Sequence, residues 1–100
     1  MIPKKFTVGG RTYTVKMYED GDKDVHNNYG EFSQDYHTIK LSKTVRNGLE
    51  LITLSDDDIL ETFCHELGHC FGVYYKDDYS EEFAQAFGHF MFEYFKSLEK

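Results

Sequence analysis

Positive charge, long apolar runs and cysteine are all scarce in this chain, and each shortage closes off a class of function. Against 18 Asp and Glu stand only 11 Lys and Arg, a net charge of −7. Such a chain repels phosphate backbones and anionic bilayers, so neither nucleic-acid binding nor membrane binding is expected. The basic cluster of Lys4, Lys5, Arg11 and Lys16 is too sparse to reverse that. No apolar run follows Met1 to Lys5 that could form a signal-peptide core, and no stretch approaches membrane-spanning length, so a cytoplasmic location is expected. The two cysteines, Cys64 and Cys70, fall on one predicted helix about 9 Å apart along its axis. That is too far for a disulfide between them, which suits a reducing compartment. Repeats, linkers and low-complexity tracts are absent too. With 100 residues, 40% of them hydrophobic and 17% aromatic, the chain can bury one core and not two, which predicts a single domain over 1–100.

What is present divides into halves of different period. Residues 5–8 and 11–17 alternate apolar and polar around Gly9-Gly10, the pattern of a β-hairpin with a primed turn, with Tyr13, Val15 and Met17 sharing the buried face. Residues 18–28 are polar and read as a loop. A second hairpin is expected from Tyr29–Phe32 and Thr38–Leu41. Leu49, Leu51 and Leu54 suggest a short strand after an Asn47-Gly48 turn.

From Ser55 the period becomes helical. Ser55 with Asp58 three residues on resembles an N-terminal cap, and Asp56, Asp57 and Asp58 suit the positive end of a helix dipole. Leu60, Phe63, Leu67 and Phe71 form an apolar stripe with His65 and His69 lying off it. Gly72 can end this helix, residues 73–79 read as a loop, and Asp78 or Ser80 caps a second helix to about Leu98. Phe83, Phe87, Phe90, Met91, Tyr94 and Leu98 give its apolar positions.

Within the first helix, His65-Glu66-Leu67-Gly68-His69 has the HExxH form. On a helix this spacing sets two imidazoles one turn apart with a carboxylate beside them, the arrangement a catalytic zinc ion and its general base require. His65 and His69 are the candidate ligands and Glu66 the candidate base. A third ligand must come from elsewhere. The long metzincin motif has a histidine where this chain has Tyr75, a poor zinc ligand, although Gly72 matches that motif's glycine. Glu81 and Glu82, at the start of the second helix, both qualify. Glu81 is favoured because Ala84 and Gly88 share its face and let the two helices approach closely. A capping role within Asp78-x-x-Glu81 is its competitor.

HExxH followed by Glu81-Glu82-Phe83-Ala84-Gln85 resembles the gluzincin branch of the zincin metallopeptidases. The layout resembles the small phage and prophage metallopeptidases of the ImmA/IrrE type, the match being confined to residues 62–85. The resemblance implies a minimal α+β zincin fold, a small and mostly antiparallel sheet packed on two helices. It also implies Zn²⁺ held by His65, His69 and Glu81, with Glu66 as catalytic base. Gln85 would stand behind a ligand histidine, where relatives often carry Asp or Asn. The implied activity is endopeptidase hydrolysis of a protein or peptide substrate, held along an edge strand; no further cofactor is implied.

Other residues invite roles. Tyr74, Tyr75 and Tyr79 could donate to an oxyanion, as could His89, while His26 and His37 read as ordinary polar residues. Cys64 and Cys70 read as small buried hydrophobes. The aromatic run Phe87–Phe95 could form a homodimer interface. Two other classes compete with the peptidase: a catalytically inactive zincin-like module that binds metal or a partner, and a structural-zinc or metal-free interaction module. Neither needs Glu66.

Overall fold

The computed structural model describes residues 2–19 and 27–99; His26 and most of the expected 18–28 loop lie outside them. Six strands precede two helices: β1 (Lys5–Val8), β2 (Arg11–Met17), β3 (Gly30–Ser33), β4 (Thr38–Leu41), β5 (Thr44–Asn47), β6 (Glu50–Thr53), α1 (Asp56–Phe71) and α2 (Glu81–Ser97). This is the expected α+β arrangement, a mostly antiparallel N-terminal sheet with two C-terminal helices.

The first hairpin forms as its sequence dictates. Val8 pairs with Arg11, so Gly9-Gly10 is a two-residue turn, and φ values of +58° and +76° give it the primed geometry that matches strand twist. Strand order is β1-β2-β4-β3. The chain leaves β2, returns at the far edge as β3, and β4 fills the gap, antiparallel to β3 and parallel to β2. Strand β3 is therefore an edge. Tyr13 is buried and Val15 and Met17 pack with it, the shared face that alternation predicts.

The third strand region differs from expectation. Strand β5 precedes the turn, and Asn47 pairs with Glu50, which makes Gly48-Leu49 the turn. Leu49 is its tip, 99% exposed; of the three leucines only Leu54, below the hairpin, is buried, together with Val45 of β5. The β5–β6 ribbon forms its own two-stranded sheet, so strand spacing there is set by pairing and not by burial.

Helix α1 begins with a reciprocal cap: Ser55 Oγ accepts from Asp58 N at 3.1 Å, and Asp58 Oδ2 accepts from Ser55 N at 3.2 Å. Its Leu60, Phe63, Cys64 and Cys70 meet Tyr13, Ile39 and Leu41 of the sheet in the core. Helix α1 ends at Gly72 as expected, but Gly72 does not end the helical path. Its backbone stays right-handed, a π-turn continues over Gly72–Lys76, and Asp77 (φ +51°) terminates it. A side chain on Gly72 would strike the Asp78 carbonyl, so glycine serves here for close approach by the returning chain.

Helix α2 is capped by Ser80, whose Oγ accepts from Phe83 N; the Asp78 carboxylate instead accepts from Ser80 N. Its inward line is Ala84, Gly88, Met91, Phe92 and Phe95, while Phe90, Tyr94 and Leu98 are exposed. The expected stripe is thus rotated. Small residues fix the contact: a Cβ on Gly68 would lie 2.6 Å from Ala84 O, and one on Gly88 2.8 Å from His65 Cα. Only these backbones can approach so closely, and they decide which face of α2 turns inward. Among the described residues no helix is long and apolar enough to cross a membrane.

Candidate metal centre

Helical spacing puts His65 and His69 on one face of α1, with ring centroids 5.0 Å apart. Ser80 starts α2 so that Glu81, its first residue, reaches back across the interhelical contact. Glu81 Oε1 lies 3.0 Å from His65 Nε2, and Oε2 lies 2.9 Å from His69 Nε2. One ligand atom from each of the three residues falls within 4.8 Å of the others, and together they could hold a metal ion. Two imidazole nitrogens and a carboxylate suit a borderline cation, and the Glu81 side chain, 76% exposed, leaves the site open on one side. Glu82 is not in this group. The Asp78-x-x-Glu81 capping role fails because Ser80 caps the helix, which frees the Glu81 carboxylate for the histidines.

Glu66 is only 6% exposed. Burial first, then the like charges of Glu81 and Glu31, push its carboxyl up to about 8. A cation at the three-residue group would act in the opposite sense. His69 is held below the ordinary histidine range, chiefly by burial, with His65 adding to the effect and Glu81 opposing it. Lowered basicity keeps that imidazole neutral, the form that binds metals.

Neither a family model, nor a curated protein, nor a solved structure matches this chain. Its chemistry must therefore be read from its own geometry.

His65 and Glu81 open onto a cleft of about 420 Å³, and His69 lines a second hollow beside it. Helix α1 forms its floor, α2 one wall, and β3 with the residues before it the other. Gln85 and His89 line the α2 wall. The expected tyrosines, Tyr74, Tyr75 and Tyr79, do not line it. Tyr75 Oη accepts from Gly9 N at 3.0 Å, and Tyr74 Oη lies 2.6 Å from Tyr13 Oη, because the π-turn swings both toward the first hairpin. Tyr79 is exposed outside the cleft. None of these hydroxyls is placed to stabilise an oxyanion there. His37 packs on Tyr13, away from the metal group. Burial raises Cys64 to about 11 and Cys70 to about 12, as befits inert core thiols.

Two site residues were not picked out by motif. Phe32 of β3 stacks on His69 with centroids 6.0 Å apart and 16° between planes, and its other neighbour is Tyr13 at 5.7 Å. Gly30 lets β3 approach α1: a Cβ there would sit 2.6 Å from Thr62 Cγ2 and 3.3 Å from Glu66 Oε2. A glycine inside a predicted strand is the signal that could have found it. Phe32 has no such signal, because a stacking partner 37 positions away leaves no local trace.

Proposed function

We propose that this chain is a zinc-dependent endopeptidase of the zincin type, similar to the gluzincin branch. The observation that carries the reading is the single Glu81 carboxylate on both HExxH imidazoles, at 3.0 and 2.9 Å, with the buried Glu66 beside them. His65, His69 and Glu81 would hold the ion. When bound, zinc supplies Lewis acidity, which polarises a carbonyl and acidifies water.

The chain's own groups do the rest. Glu66 takes a proton from the attacking water and returns it to the amide nitrogen as the C–N bond breaks. Its low exposure keeps that proton from bulk solvent. Phe32 holds the His69 ring against rotation. Strand β3 is an edge that borders the cleft through Gly30, Glu31 and Phe32, so an extended substrate can add to it as a further strand. His89 and Gln85 line the cleft in place of the expected tyrosines as donors for developing negative charge.

The test is Glu66→Gln. It should retain one zinc per chain and lose hydrolysis of a proteome-derived peptide pool by at least about 10³-fold. A Glu66→Gln protein as active as wild type would remove Glu66 from the mechanism. A zinc-loaded wild type that cleaves nothing would favour the metal-binding module without turnover.

A further inference from the structure

The outward apolar side chains of α2 lie on one line. Phe83, Phe87, Phe90, Tyr94 and Leu98 follow one another at spacings of four, three, four and four residues, so they share one face of a helix that turns every 3.6 residues. Phe90 is 65% exposed, Tyr94 49% and Leu98 60%. Helix α1 and the π-turn widen the line: the Phe71 ring lies 4.9 Å from Phe87 and 6.0 Å from Phe83, and the Tyr75 ring 5.4 Å from Phe71. No charged residue falls within this stripe, although 29% of the chain is charged. Single exposed apolar residues need no explanation, but a contiguous uncharged patch marks a contact surface.

Two properties of the stripe point to a second copy of this chain as what covers it. The first is symmetry. Reversed about a point between residues 90 and 91, the spacing maps Phe83 onto Leu98 and Phe87 onto Tyr94. Two α2 helices packed antiparallel across a two-fold axis at Phe90 therefore set apolar side chain against apolar side chain along the whole stripe, the self-matching that an isologous contact needs. In that pairing Glu93 and Glu82, at the margin, come beside the partner's Ala86 and the partner's Ser97. Two chains of net charge −7 thus meet without opposing carboxylates.

The second property is area. The exposed parts of Phe71, Tyr75, Phe90 and Tyr94 amount to roughly 400 Å², at about 200 Å² for a whole aromatic side chain. With Leu98 and the half-buried Phe83 and Phe87 added, two copies bring together more than about 1,000 Å², which is what a specific interface requires.

We infer that this face of α2 is the interface of a homodimer, packed antiparallel about Phe90. Gln85, which lines the cleft, lies on the opposite side of the helix at about 100° per residue. Both clefts therefore stay open in the dimer, and the inference stands independently of the reaction proposed above.

Sedimentation equilibrium of the full chain should show monomer and dimer alone, with a Kd of order 10 µM. Phe90→Glu sets two carboxylates across the axis and should weaken association by at least about 100-fold. Because Phe90 is largely exposed, the circular dichroism of that variant should match wild type. Leu49→Glu, the same kind of change at the exposed tip of the β5–β6 hairpin, should leave Kd within about twofold. A second variant does not depend on a loss of association: a short bis-maleimide should join Phe90→Cys into a covalent dimer and leave Leu49→Cys unjoined, since Cys64 and Cys70 are buried. A wild type that is still monomeric at about 500 µM overturns the inference and leaves the stripe to a different protein. A dimer that Phe90→Glu leaves intact also overturns it, as does open-ended association, which a closed two-fold contact forbids.

Discussion

Replacing Gly68 by alanine tests the packing on which the metal group depends. Elsewhere in a helix this change is favourable by about 1 kcal/mol. Here the new Cβ would lie 2.6 Å from Ala84 O and 2.7 Å from Ala84 Cα, roughly 0.8 Å inside ordinary contact. The obstacle is backbone, so no side-chain rotation relieves it, and α2 must move. Overpacking of this kind costs about 1–3 kcal/mol; at the upper end, the net loss is about 1–2 kcal/mol and the fall in Tm of order 10 °C. Glu81 lies one turn before Ala84 and moves with it. A displacement near 0.8 Å exceeds the roughly 0.2 Å tolerance of a metal–ligand bond, so zinc affinity should fall about 10- to 100-fold. Urea unfolding of the metal-free protein reads the first effect, and competition with a chromophoric chelator reads the second. Adding Ala84→Gly should rescue neither, because the clash is with main-chain atoms. A Gly68→Ala protein as stable as wild type, or one that binds zinc normally, would refute the close helix contact as the device that delivers Glu81.

Further outcomes follow from individual contacts. Phe32→Ala removes the ring between Tyr13 and His69 and should cost about 2–3 kcal/mol, with zinc bound roughly tenfold more weakly in chelator competition; unchanged zinc affinity would make Phe32 a packing residue alone. Ser80→Ala deletes the cap that starts α2 and should cost about 1 kcal/mol, measured by thermal unfolding. Cys64 and Cys70, buried in the core, should resist a thiol-specific disulfide reagent in the native protein and react fully in denaturant; rapid native labelling would show that the α1–sheet core opens.

Much of this molecule was legible locally. The Gly9-Gly10 hairpin, the Ser55–Asp58 cap and the helical placement of HExxH are encoded within a few residues of where they act. Glu81 was reachable because Ala84 and Gly88, one and two turns on, announce a close helix contact. What stayed hidden depends on distant partners. The rotation of α2 is decided by Gly68 and Gly88 against opposing backbone, so Phe90 and Tyr94 face outward although their spacing fits a buried stripe. Tyr75 sits within a few residues of the metal helix, yet the π-turn aims it at Gly9. Strand β5 escaped notice because Val45 is the one buried residue of the β5–β6 ribbon, too little to impose alternation, and the Phe32–His69 stack joins elements that only the fold brings together.

The most direct measurement is anomalous scattering at the zinc absorption edge from crystals of zinc-loaded protein. The account predicts one peak per chain, about 2.0–2.2 Å from His65 Nε2, His69 Nε2 and a Glu81 carboxylate oxygen, and its loss in His69→Ala. A protein that takes up no zinc, or a peak bound away from these three residues, would contradict it.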